Sequence, residues 1–258
     1  MELKRLLLVG AMASLVLAPA AAMAEKSMSP EQKKEVEKIV HDYLVSNPEV
    51  LMEASQSLQQ KQQKSIQDQA KAAIFENAKQ LFSGNETVIG NKKGNVTVVE
   101  FFDYQCIHCK KMDSIVDGLV KKDKNLRVIY KEFPIFGKSS EVASQAALAA
   151  GMQGKYQQMH DALIKLDQHL DEALVMKAAK DLGLNMAKLE KDMASKEVAA
   201  ELDATRELAE KMHLMGTPAF VVASTPAGNF NAKSDPTFIP GAATEEILKY
   251  LISKANSG

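Results

Sequence analysis

Cysteine is nearly absent from this chain, which carries only Cys106 and Cys109 in 258 residues. A disulfide-stapled scaffold is excluded, and a zinc centre built on this Cys-x-x-Cys pair would need a second pair of ligands. The histidines do not supply it. His41, His108, His160, His169 and His213 form no pair at the spacing such centres use. Tryptophan is missing and aromatics make up only 5% of residues, with no basic cluster interleaved among them. Together with a formal net charge of −1, this argues against a nucleic-acid surface. Beyond the first two dozen residues no apolar run is long enough to cross a bilayer as a helix. Methionine is plentiful, but it falls within helical patterns and reads as core filler rather than a metal-binding cluster.

The opening residues read as a targeting segment. Lys4 and Arg5 form a positive start, residues 6–17 an apolar core, and Ala22-Met23-Ala24 a small-x-small cleavage signature. Residues 1–24 are therefore expected to be a signal peptide, with Glu25 opening the mature chain. The apolar core is short for a membrane anchor, and no cysteine stands near the cleavage point for lipoprotein processing. Export places the protein in an oxidising compartment, where a dithiol has disulfide chemistry to perform.

Residues 25–84 read as a helical oligomerisation segment. Ser29-Pro30-Glu31-Gln32 has the form of a capping box with proline at the first helical position. Val36, Ile39, Val40, Tyr43 and Leu44 make one apolar stripe before Ser46-Asn47-Pro48 stops the helix. From Pro48 to Phe82 the pattern remains helical, a rod on the order of 50 Å at 1.5 Å per residue. Its seam runs through Leu51, Ala54, Leu58, Ile66, Ala70, Ala73, Ile74, Ala78 and Leu81. A rod cannot bury such a seam on itself, so self-association is the economical expectation, with a hairpin packed on the chain's own second domain as the alternative.

Ser83-Gly84-Asn85 marks the expected domain boundary, and residues 85–258 read as α/β. Residues 87–89 suggest a short edge strand, 96–103 a central strand and 126–133 another, with a helix between the last two in a parallel βαβ unit. Residues 138–214 form a helical insertion punctuated by Gly151, Gly154, Gly183 and Asn185. Residues 219–222 and 230–239 read as a hairpin. Thr244 then caps a final helix with Ile247, Leu248, Leu251 and Ile252 on its inner face.

The chemistry lies at Phe101-Phe102-Asp103-Tyr104-Gln105-Cys106-Ile107-His108-Cys109, where a buried strand runs into a helix. A cysteine at a helix start meets unpaired backbone N–H groups and the positive end of the helix dipole, and both favour its thiolate. A second cysteine one turn on can attack a mixed disulfide formed at the first.

The run from Glu100 into Cys106-Ile107-His108-Cys109, the helical insertion and Thr217-Pro218 before a strand together resemble the thioredoxin superfamily, and within it the DsbA-like periplasmic thiol–disulfide oxidoreductases. The resemblance implies a thioredoxin fold with an inserted helical domain. It implies an exposed nucleophile at Cys106, a buried resolving thiol at Cys109, and a thiolate-stabilising imidazole at His108. Pro218 corresponds to the family's cis-proline, which with Thr217 would bind the substrate backbone. Glu100 would be a buried acid beneath the dithiol, with Lys131 as its candidate partner. A strand-end Glu100 reaching solvent is the competing reading. Ile107 and Thr217 depart from the DsbA pattern. Thr217, like the N-terminal helices, is closer to DsbC-like and ScsC-like proteins.

These residues imply a periplasmic enzyme that introduces, and in a dimer also isomerises, disulfides in cysteine-containing exported proteins. A membrane redox partner would reset it. A homodimer is expected, with a trimer as the other form, and neither a cofactor nor a metal is called for. The rival reading is a non-enzymatic copper-binding or adhesion protein using the dithiol as a soft ligand.

Overall fold

A computed structural model of the chain describes residues 28–84, 87–166 and 169–257. The targeting segment, its cleavage signature and Asn85 of the expected boundary lie outside the described residues. No helix among the described residues is long and apolar enough to cross a membrane. The chain divides into two compact units, the first ending at Leu58 and the second beginning at Gln59.

In the first unit, helix α1 (Pro30–Ser46) starts as its sequence dictates. Ser29 Oγ accepts from the Gln32 N–H at 3.2 Å, and the Gln32 side chain accepts from the Ser29 N–H at 2.9 Å. Asn47 closes the helix by donating backbone and side-chain N–H groups to the Tyr43 carbonyl. Val36, Ile39, Val40 and Tyr43 all remain exposed.

The expected rod is two helices, α2 (Glu49–Glu76) and α3 (Ala78–Leu81), separated at Asn77. Its seam has two fates. Leu51, Leu58 and Ile66 are exposed, whereas Ala70, Ala73, Ile74, Leu81 and Phe82 are buried with Phe101, Ile129 and Val221 of the sheet. The boundary expected at residue 84 therefore moves back to Leu58, because the later turns bury their apolar face on one side of the sheet. The later half therefore packs on the chain's own sheet, while Leu51 and Leu58 of the earlier half remain exposed.

The sheet has the order β1-β3-β2-β4-β5. Strands β2 (Val96–Phe102) and β3 (Leu126–Glu132) are parallel and joined through α4 (Ile107–Lys122), the expected βαβ unit. Both are buried along their whole length because both faces are covered; β2 is a near-continuous apolar run, whereas β3 also buries Arg127, Lys131 and Glu132. Strand β1 (Val88–Gly90) lies antiparallel on the β3 edge, and β4 (Ala219–Ser224) lies antiparallel to β2 on its other side. The last strand is shorter than expected. Only β5 (Thr237–Ile239) pairs with β4, while Asn231 turns the chain back on itself through bonds from the Lys233 and Ser234 N–H groups.

Between β3 and β4 the insertion forms α5 (Lys138–Gly151), α6 (Tyr156–Ile164), α7 (Glu172–Asp181), α8 (Met186–Met193) and α9 (Lys196–Lys211). Asp171, Asn185 and Ser195 cap α7, α8 and α9 with side-chain oxygens. The final helix α10 (Glu245–Ser257) buries Leu248, Leu251 and Ile252, but Ile247 faces outward and is exposed, contrary to expectation. The apolar face of α10 needs only three positions, at the i, i+3 and i+4 spacing of one helix side.

Candidate active site

Central strand β2 delivers the chain to the dithiol through one tight turn. Asp103, just past the strand, is fully buried and accepts from the Gln105 N–H at 2.7 Å, the Ile135 N–H at 2.7 Å, the Phe136 N–H at 3.1 Å and Ser140 Oγ at 2.7 Å. One carboxylate thus pins the turn before Cys106 to the segment leading into α5. Sequence reading missed this residue, although an aspartate two positions before a turn amide is a recognisable side-chain turn signal. The Cys106 N–H donates to the Asp103 carbonyl at 3.1 Å, and Cys106 itself is the residue capping α4.

The two cysteines stand as free thiols with opposite acidities. The Cys106 thiol is pulled down to about 5, first by a hydrogen bond from the Cys109 thiol. The Thr217 side chain and the backbone N–H groups of Cys109 and His108 add to this, outweighing the opposing effect of burial. The Cys109 thiol is pushed far up by burial, by its role as donor to Cys106, and by the charge of Glu100. When protonated, Cys106 Sγ donates to the Thr217 carbonyl at 3.3 Å. That bond favours the neutral thiol, but the donors around the sulfur outweigh it, so the thiolate is the resting form at neutral pH.

One expectation is corrected here. Cys106 is not an exposed nucleophile: it is 3% exposed, with the Thr217 carbonyl seated on its sulfur. The His108 ring is exposed and has no hydrogen-bond partner among the described residues, so the contribution of His108 that the geometry shows is its backbone N–H.

The Thr217–Pro218 peptide is cis and leads directly into β4. Thr217 Oγ1 is buried without a partner that meets hydrogen-bond geometry, poised beside the sulfur. A cavity of about 450 Å³ adjoins this peptide, lined by Ile66, Ala70, Met212, Leu214, Met215, Pro218 and Phe238. Met215, on the rim of this cavity, is 97% exposed, a large apolar side chain offered to solvent.

Glu100 is 2% exposed, so the reading in which it reaches solvent is excluded. Its carboxyl is held well above the usual range, first by burial and then by the charges of Asp113 and Cys106. Lys131 is not its partner. In the β2–β3 register Glu100 lies opposite Tyr130, and Lys131 lies opposite Phe101, on the other face of the sheet. There Lys131 Nζ donates to the Gln80 and Ser83 carbonyls at 3.1 Å each, fastening the end of α3 to the sheet. The alternation of side chains along a strand explains the difference, since neighbours one position apart face opposite ways.

Comparison with known proteins agrees with this geometry. A family described as DSBA-like thioredoxin domain matches residues 97–253, and the N-terminal domain of copper resistance protein ScsC matches residues 32–65. The crystal structure of BcfH from Salmonella enterica Typhimurium is similar with a TM-score of 0.74 and 32% identity, over 88% of this chain and 96% of that one. Thiol:disulfide interchange protein DsbA of Bordetella parapertussis is 27% identical over 169 residues, 59% of this chain and 75% of the relative. Na(+)/H(+) antiporter NhaA 1 of Salinispora arenicola is 30% identical over 137 residues, 52% of this chain, and the match spans only 21% of that relative's length. With the family match covering the strand-to-helix dithiol, the helical insertion and the cis-proline strand, the chain belongs to the DSBA-like thioredoxin family.

Proposed function

We propose that this chain is an exported thiol–disulfide oxidoreductase acting on protein cysteines through Cys106 and Cys109. The carrying observation is the split acidity of the two thiols beside a cis-proline: one sulfur is held as an anion near neutral pH and its neighbour is held as a thiol.

In the oxidised enzyme a substrate thiolate attacks Cys106 Sγ. The Cys106–Cys109 bond breaks, a substrate–Cys106 disulfide forms, and Cys109 leaves as a thiolate. Its strong preference for the neutral form means it takes up a proton, and Glu100, buried and coupled to it, is the group placed to supply one. A second substrate thiolate then attacks the substrate sulfur of the mixed disulfide. Cys106 departs as its stabilised thiolate, the substrate gains a disulfide, and the enzyme is left reduced by two electrons. An anion that leaves easily makes the disulfide a good oxidant. Re-oxidation then falls to a membrane redox partner.

The groove beside Thr217-Pro218 supports a role for both residues in holding an extended substrate segment, since its lining is mostly apolar and adjoins the sulfur. The exposed stripe of Val36, Ile39, Val40 and Tyr43 supports self-association through the N-terminal helices as a homodimer, with a trimer as the other closed form. In such an assembly, reduced Cys106 attacking a wrong substrate disulfide would make the protein an isomerase as well.

Refolding of a reduced, disulfide-containing test protein decides the matter. Cys106→Ala is expected to abolish oxidation, and Cys109→Ala to trap mixed disulfides. Oxidation retained by Cys106→Ala refutes the mechanism, and stoichiometric Cu(I) binding with no refolding or insulin-reducing activity replaces it with the soft-ligand reading.

A further inference from the structure

One turn beyond Cys109 on α4, Asp113 meets His160 and Asp161 of α6, and one ligand atom from each of the three lies within 4.8 Å of the others. The disulfide chemistry proposed above uses none of them. His160 is almost wholly buried, and its Nε2 has no hydrogen-bond partner that meets the geometric requirements among the described residues.

The tautomer of His160 follows from its other nitrogen. Glu132 Oε1 accepts the hydroxyl protons of Tyr104 at 2.9 Å and Tyr156 at 2.8 Å. Tyr104 has a single hydroxyl proton, already given to Glu132, so its oxygen can only accept from His160 Nδ1, 3.3 Å away. A neutral His160 with its proton on Nδ1 therefore directs a bare Nε2 lone pair toward Asp113 Oδ1 at 3.4 Å. Stacking on Tyr130, with ring centroids 4.1 Å apart, fixes the plane of the imidazole. Two buried acceptors facing each other require something positive between them.

A proton would serve if the two atoms were at ordinary hydrogen-bond distance, about 2.9 Å. They are further apart, and the bond fails on geometry. The spacing suits a metal ion instead. Two ligand atoms each about 2.1 Å from a tetrahedral zinc are about 3.4 Å apart. An imidazole whose second nitrogen is tied by a hydrogen bond is the usual support for such a ligand, and here the tie runs through the Tyr104 hydroxyl to the Glu132 carboxyl, which burial pushes up to about 8.

The geometry points to Asp113, His160 and Asp161 as a site for one divalent ion of the zinc class, bridging the dithiol helix α4 to the inserted helix α6 and leaving a coordination position open to solvent beside the half-buried Asp161. One imidazole and two carboxylates form a donor set for borderline first-row ions, not for soft Cu(I). The charges of Lys165, His160 and Asp117 reach Asp161, and that of Lys121 reaches both aspartates, so the ion competes with nearby lysine charge, of which Lys121 is already paired with Asp117 at 2.5 Å.

The test uses the full chain with Cys106→Ser and Cys109→Ser, so that thiols cannot bind the probe. Titration with Zn²⁺ alone is expected to show one equivalent bound and a higher melting temperature, and Co²⁺ alone to give the visible absorption of a four-coordinate site. Asp161→Asn and His160→Gln should each weaken binding tenfold or more, and Tyr104→Phe about tenfold by releasing the tautomer. Asp161→Asn, at a half-buried position with an isosteric side chain, decides the result if His160→Gln does not fold. No stoichiometric binding overturns the proposal, as does binding that Asp161→Asn leaves unchanged. Zn²⁺ bound only when the two thiols are present overturns it too.

Discussion

The sulfur of Cys106 lies 3.3 Å from the carbonyl oxygen of Thr217, a residue 111 positions further along the chain. The contact joins the start of α4 to the cis-proline strand and places the reactive sulfur, the buried Thr217 hydroxyl and the apolar groove side by side. The predictions that follow concern what this junction does to the sulfur and what holds it in place.

Alkylation of Cys106 in the reduced protein should follow an ionisation near pH 5, far below that of an unperturbed thiol. Because the folded-state value is lowered, reduced protein gains stability fully present above the unfolded thiol's range, near 8.5, and loses it as pH falls through about 5. The melting temperature of the reduced form relative to the oxidised form should therefore drop between these limits. A pH-independent difference would contradict the assignment.

Replacing Thr217 by Val removes a hydroxyl that favours the Cys106 anion while keeping the residue's shape. A hydrogen bond to a charged group is worth about 1.5–3 kcal/mol, so the alkylation midpoint should rise by about one to two units. An unmoved midpoint would mean that the helix start alone stabilises the sulfur.

Glu100→Gln keeps the strand but removes the ionisable proton beneath the dithiol. Turnover in refolding should fall by roughly 10²-fold, with initial alkylation of Cys106 almost unchanged. Lys131→Met provides the contrast, because its ammonium bonds the Gln80 and Ser83 carbonyls on the opposite face. It should lower stability by about 1–2 kcal/mol in urea and leave turnover intact. Similar kinetic defects in both variants would restore the pairing of Lys131 with Glu100.

Asp103→Ala orphans three backbone N–H groups and the Ser140 hydroxyl at once. Denaturant unfolding should show a loss of roughly 3 kcal/mol or more, with Asp103→Asn milder because it retains an acceptor. A loss below 1 kcal/mol would show that the turn holds its shape without this carboxylate.

The sequence by itself determined the elements and the reacting pair. Alternation and apolar runs set β2, β3 and β4, Ser29 and Thr244 announced helix starts, and the two cysteines stood one turn apart at a helix entry, because these signals act over a few residues. Only the tertiary structure decided the partners. It placed Lys131 on the far face of the sheet, buried the second half of the supposed rod on the core, closed Thr217 over Cys106, and brought Asp113 to His160 and Asp161. Each of these pairings depends on which faces meet across the fold, and no local pattern encodes the register between elements dozens of residues apart.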